Sequence, residues 1–291
     1  MVEVTNATLA ERMRGTFESL TRAERQLAAA MLENYPMLGL ESITVVAETA
    51  RVSTPTVLRM AKKLGYTGFP EMQGALRAEL QATLSGPIAK QDRWTQSAPQ
   101  EHIVNRFADA VTDNMRRTLA HLDPDEFDAV AALLASHRQQ VQIVGGRITR
   151  SLAEYFFTHL QVIRPNVTLV ASNSNAWPHY LLNLNEGDIL VAFDIRRYEN
   201  DLENLANMAK ERKAQIILFT DQWGSPVSKL ADHTFHARIE APSAWDSTVV
   251  IMFIVEALIS AIETRNWSRT HDRMRELEEL FGRTRLFRKP C

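Results

Sequence analysis

Two groups of residues have the types and spacing for chemistry on an anion. The first is Asp194-Ile195-Arg196-Arg197-Tyr198-Glu199, which follows the apolar run Ile189–Phe193. A guanidinium presents a planar fork of donors that takes a carboxylate or phosphate through two parallel hydrogen bonds. Two arginines at the end of a buried strand therefore raise the question of what they hold. The chain also offers an internal answer, since Asp194 can pair with Arg147 or Arg197. The second group is Ser53, Thr54, Thr56, Arg59, Lys62 and Lys63. Short hydroxyl residues at a helix start approach phosphates and base edges closely, and Arg59 has the reach for a bidentate contact to guanine. Residues 51–77 hold five basic side chains against Glu71 alone, in a chain of net charge −2. Such a patch fits a polyanion bound through one face, and a solvated helix surface is the plainer alternative.

Other chemistries lack their residues. The eight histidines show no HxH or HExxH spacing, so no metal site is expected. No GxSxG elbow or GxxxxGK[ST] loop occurs, and no cofactor is expected. The single cysteine is the final residue, Cys291, which allows neither an internal disulfide nor a multi-cysteine metal site and points to the cytoplasm. The N-terminus lacks a cationic segment followed by an apolar run, so no signal peptide is expected. The longest apolar stretch, Val249–Ile262, is interrupted by Glu256 and Ser260. It reads as a buried helix, and no membrane partner is expected. At 291 residues, 45% hydrophobic and 23% charged, the chain has room for two ordinary soluble domains.

The elements that must position these residues follow two rhythms. Residues 1–84 read as all-helical. Thr21 and Glu24 form a capping box ahead of the apolar face Leu27, Ala28, Met31, Leu32, and Pro36 ends that helix. A short helix at about 43–50, a break at Arg51-Val52, and a second helix ending at Gly65 make a helix-turn-helix. Pro55 in the first turn of the second helix costs no hydrogen bond. Val57, Leu58, Ala61 and Leu64 would face the core, leaving the hydroxyl and basic residues outward for a major groove. Residues 85–100, with two prolines and a glycine, read as a linker. Ile103, Phe107, Val111, Met115 and Leu119 then mark one face of a long helix, and another covers 126–137.

From Val141 the rhythm becomes strand–helix alternation, with strands at 141–144, 167–170, 189–193, 216–219 and 233–237, a last helix at about 245–264, and a basic tail. Alternation of this kind predicts a five-stranded parallel sheet flanked by helices, an α/β C-terminal domain at 101–291. Ligands on such sheets sit at the carboxyl ends of the strands. The residues offered there are Gly145, Gly146, Arg147, Thr149, Ser172, Asn173, Asp194, Arg196, Arg197 and Glu240. Adjacent residues leaving a strand point to opposite sides, which favours Arg196, on the side of Asp194, over Arg197.

The order of parts resembles the RpiR family of bacterial transcriptional regulators, which join an N-terminal helix-turn-helix to a C-terminal sugar isomerase (SIS) domain. The residues that carry the resemblance are Leu20-Thr21-Arg22-Ala23-Glu24-Arg25, Val52-Ser53-Thr54-Pro55-Thr56-Val57-Leu58-Arg59, and Lys63-Leu64-Gly65-Tyr66-Thr67-Gly68-Phe69. A weaker match covers about 125–265. The resemblance implies a double-stranded DNA operator, a homodimer or higher homo-oligomer, and a small anionic effector such as a sugar phosphate or sugar acid. It also implies loops reading GxGxSxxxA and SxSGxT. Here Arg147 and Thr149 replace the second glycine and the serine of the first loop. Asp194, Arg196, Arg197 and Glu199 replace the residues of the second. An arginine in place of glycine fills phosphate space, so anion binding by guanidinium, an internally paired SIS-like scaffold without ligand, and a dimer contact stay open. A sugar-phosphate isomerase or deaminase is the enzymatic alternative. It needs an intact cradle and a general base; no carboxylate or histidine stands out for that role, with Glu240 at the end of the fifth strand as the candidate.

Overall fold

The computed structural model describes residues 7–96 and 102–285. The end of the expected linker beyond Gln96 and Cys291 lie outside the described residues. Two compact units form: Met1–His121 with Glu240–Asp246, and Leu122–Ile239 with Ser247–Cys291.

The first unit is helical: α1 (Leu9–Thr16), α2 (Arg22–Glu33), α3 (Met37–Leu40), α4 (Ile43–Thr49), α5 (Thr54–Lys63), α6 (Phe69–Leu84), α7 (Pro87–Gln96) and α8 (Ile103–Leu119). The capping box before α2 forms, with the Thr21 amide donating to Glu24 at 2.9 Å and the Glu24 amide donating to Thr21 Oγ1 at 3.4 Å. Leu27, Met31, Val46, Val57, Met60, Leu64, Phe69 and Leu76 close one core around α5. Two parts differ from expectation. The stretch read as a linker folds as α7, with Pro87 as its first residue, where the missing amide is no loss. Lys90 on α7 is buried against Asp246 of the same unit. Leu58 leaves the core face and is 41% exposed.

The second unit alternates: α9 (Pro124–Ala135), β1 (Val141–Gly145), α10 (Arg150–Ile163), β2 (Val167–Leu169), α11 (Trp177–Leu182), β3 (Ile189–Phe193), α12 (Asn200–Glu211), β4 (Gln215–Asp221), β5 (His233–Ala237), α13 (Val249–Arg265) and α14 (Trp267–Thr284). The sheet is parallel in the order β2-β1-β3-β4-β5. Both faces are covered, which is why β3 is an apolar run rather than an alternating one and β1 is apolar but for the buried Gln142, whose amide donates to the Tyr180 carbonyl. Leu190, Ala192, Ile216 and Leu218 pack with α11 and α12 on one face. On the other, Phe193 and Phe219 stack with centroids 4.6 Å apart and Phe156 of α10 meets both edge-on. The last helix starts at Val249 rather than Trp245, and the tail from Trp267 to Thr284 is itself a helix.

Candidate functional site

The strand order reverses direction at the β1–β3 pair, the switch point beside which open parallel sheets hold ligands at the carboxyl ends of their strands. The loops leaving these two strands are stitched at their base. Thr149 Oγ1 donates to the Phe193 carbonyl at 2.6 Å, and the Gly146 amide reaches the same oxygen at 3.4 Å. Gly145 has no alternative here, because a Cβ would lie 2.6 Å from the Thr149 carbonyl oxygen. Above this base the Arg147 amide donates to Glu199 Oε1 at 2.6 Å. A backbone amide of the first loop thus holds a carboxylate, and that carboxylate comes from the chain itself.

Asp194 is buried beneath Glu199. Its carboxylate accepts from the Ser225 hydroxyl and from the Glu199 amide, and burial, aided by nearby Asp221 and Glu199, pushes its pKa up to about 7. Asp221, at the end of β4, accepts from the Arg196 amide (2.7 Å), the Tyr198 hydroxyl (2.9 Å) and the Trp223 and Gly224 amides (2.9 and 3.1 Å). Burial raises it to about 6. The first two donors fix the path of the 194–199 loop, and the other two close the turn that follows β4. The Arg196 side chain is 8% exposed and lies over the Trp223 ring, 4.3 Å from its centroid. Arg197 adopts φ +68° and is exposed, as is Arg147.

The residues named from sequence separate accordingly. Gly145, Gly146, Arg147, Asp194, Arg196 and Arg197 sit on the two facing loops. Thr149 is turned away, its buried hydroxyl spent on Phe193. Ser172 and Asn173 are exposed after β2, where Asn173 caps a short turn by accepting from the Asn175 amide. Glu240 falls in the first unit. Tyr198 lies in the stretch singled out from sequence, whereas Asp221, Trp223 and Ser225 are not singled out there. These three come from β4 and the loop after it, and only the tertiary fold brings them beneath the third strand.

On α5, Arg59 and Lys62 are exposed and Ser53 and Thr54 open the helix. Thr56 is a correction to the expected outward face. It is buried, with its hydroxyl 3.0 Å from Ser53 Oγ and accepting from the Arg59 guanidinium at 3.2 Å, so it steers Arg59. Lys63 is a second correction: its ammonium donates to the Ser19 carbonyl at 2.6 Å and to Glu24 at 3.1 Å, tethering α5 to the α2 capping box. Lys63 stays exposed despite this tether, and Leu58 joins the outer face.

A helix-turn-helix in one unit and a doubly wound parallel sheet in the other define a two-domain architecture. Residues 7–83 match the helix-turn-helix domain of the rpiR family, and residues 133–261 match the SIS domain. The chain belongs to the RpiR family of transcriptional regulators. It is 24% identical over 287 residues to the HTH-type transcriptional regulator HexR of Pseudomonas aeruginosa, covering 95% of this chain and 96% of that one. It is also 24% identical over 230 residues to the HTH-type transcriptional regulator RpiR of Escherichia coli, covering 77% and 74%. Among solved structures, the Vibrio vulnificus NanR protein complexed with ManNAc-6P aligns with a TM-score of 0.56 at 19% identity, over 97% of this chain and all of that one. Among the described residues no helix is long and apolar enough to cross a membrane.

Proposed function

We propose that this regulator acts in the cytoplasm as a homodimer on a palindromic operator and senses an anionic carbohydrate derivative at the β1–β3 crevice. The observation that carries the effector site is the Glu199 carboxylate on the Arg147 amide. A loop amide that holds a carboxylate has the position and polarity to hold a ligand's phosphate or carboxylate. An effector would displace Glu199 and take Arg196, Arg147 or Arg197 as its charged partner. The NanR relative, solved with a sugar phosphate, supports this ligand class. DNA contact is assigned to Ser53, Thr54, Arg59 and Lys62, with Leu58 against a thymine methyl. No catalytic step is assigned. An isomerase needs a free general base over the sugar; the candidate Glu240 falls in the first unit, outside the sheet unit, and Asp194 is already held by Ser225 and the Glu199 amide.

The same contacts favour a second reading, in which Glu199 and Asp194 close the crevice and the domain serves only as a scaffold. A thermal-shift screen of sugar phosphates and sugar acids separates the two, because a ligand of the folded state raises the melting temperature by mass action. The expected result is a stabilising hit that is weaker in Arg196→Ala and stronger in Glu199→Gln, which removes the competing charge. A hit unchanged in both variants rules out this crevice. The scaffold reading predicts no hit at millimolar ligand and a large loss of stability in Arg196→Ala.

A further inference from the structure

A second cavity, of about 460 Å³, opens where the end of α9 meets the α13–α14 junction. It lies on the side of the domain where α9 leads into β1, at the amino end of that strand. Its polar lining is Ser136, His137, Arg138, Arg265, Asn266 and Arg269. Of its three guanidiniums, Arg265 is paired, binding Asp128 at 2.9 Å. Arg138 and Arg269 are exposed and have no acidic partner among the described residues. The backbone adds to the field. α14 is 18 residues long and starts at Asn266 without a side-chain cap, so its first amides are open and its positive end lies at the cavity wall. The opposing negative end of α9 is quenched. Its Leu134 carbonyl accepts from Arg164 at 2.9 Å and its Ala135 carbonyl from Asn266 at 2.7 Å. His137 Nε2 is buried and makes no hydrogen bond. Burial first, then the charges of Arg164, Arg269 and Arg273, hold the His137 pKa below its ordinary value, a sign of positive potential in this region.

We propose that this cavity is a second anion site, taking the phosphate group of a small phosphorylated metabolite independently of the β1–β3 crevice. Its volume falls in the range of small-molecule sites, about 300–1,000 Å³, which leaves room for a ligand body beyond the phosphate. Arginine forks and open helix amides are the donors that phosphate oxygens accept. Small alanines beside them give little apolar surface, which suits a hydrophilic body.

The test is calorimetric titration of the full-length protein with inorganic phosphate in a zwitterionic buffer, with potassium chloride at equal ionic strength as the control. Arg138→Ala/Arg269→Ala should weaken phosphate binding by roughly tenfold or more, as expected when two charge-assisted contacts are lost. Both residues are exposed, so the ligand-free melting temperature should hold. Arg196→Ala should leave this binding in place. In the wild type, phosphate should also raise the His137 pKa read by NMR. Phosphate affinity within about twofold of wild type in the double variant, or loss of that affinity in Arg196→Ala at a temperature where circular dichroism shows it folded, would overturn the proposal. So would a wild-type heat no larger than the chloride control.

Discussion

Arg59 and Lys62 share a helix face but differ in what holds them. The Thr56 hydroxyl fixes the Arg59 fork, which lowers the entropy lost on docking to a base, while Lys62 extends into solvent as a point charge. Arg59→Ala should cost about 1–3 kcal/mol at the operator and relax the sequence preference. Lys62→Ala should weaken all duplexes alike and lower the salt slope by about 1. Lys63→Ala should show neither pattern, only a stability loss below about 1 kcal/mol from its half-exposed pair with Glu24. Retardation assays over a salt series read all three, and wild-type binding by both Arg59→Ala and Lys62→Ala would displace the recognition face. In the crevice, Asp194 and Asp221 titrate near 7 and 6, above the ordinary unfolded value of about 3.9. The folded state therefore keeps protons that the unfolded chain has released, and this contribution to stability falls as pH rises from about 4 to about 7. Asp194→Asn cannot ionise and should flatten that fall. Urea unfolding across this range checks it, and a parallel fall in both proteins would mean that Asp194 ionises at its ordinary value.

At the scale of elements, α5 depends on how it ends. Gly65 has φ +91°, and the amides of Gly65 and Tyr66 donate back to Lys62 and Ala61 at 3.0 Å each, closing the helix before α6. A Cβ there would also stand 3.2 Å from the Arg12 guanidinium. Gly65→Ala should destabilise the helical unit by about 1–2 kcal/mol, the cost of a left-handed conformation for an L side chain. Chemical denaturation reads this, and an unchanged midpoint would show that the turn relaxes. Elements whose signal is local were legible in the sequence. β3 is an apolar run between Asp188 and Asp194, and the α2 capping box announces itself by the spacing of Thr21 and Glu24. α7 was hidden because Gly86, Pro87 and a polar composition look like a linker, and its anchor, Lys90 on Asp246, is 156 residues away in the chain. Thr56 and Thr149 were misassigned for one reason: spacing shows which residues could face a ligand, but hydroxyls are readily drawn to nearby backbone and side-chain partners. Arg147 and Arg196 lie on the two loops that their places after β1 and β3 indicate, whereas Ser225 and Asp221, which hold the second loop, come from the end of β4 and the loop after it, adjacent only in the fold.

At the scale of the molecule, a single helix-turn-helix contacts one half-site, so a palindromic operator calls for two copies related by a two-fold axis. α8 offers a surface for that pairing. Its apolar stripe is incompletely covered, with Ile103 51% exposed, Leu119 42% exposed, and Phe107, Val111 and Met115 half-buried between them. Seventeen residues of helix span roughly 25 Å at about 1.5 Å per residue. Two such faces packed antiparallel would contribute to a stable interface, which buries about 1,200–2,000 Å² in total. Light scattering at micromolar concentration should give a dimeric mass. Ile103→Asp/Leu119→Asp should shift it toward the monomer, because charge placed in the centre of an apolar contact leaves an unpaired group desolvated. The helix itself should survive in circular dichroism, since both positions are exposed. Operator affinity should fall in the variant while a single half-site is bound as before. A monomeric wild-type mass, with or without DNA, would overturn dimeric recognition. An undiminished dimer in the double variant would place the interface on another face.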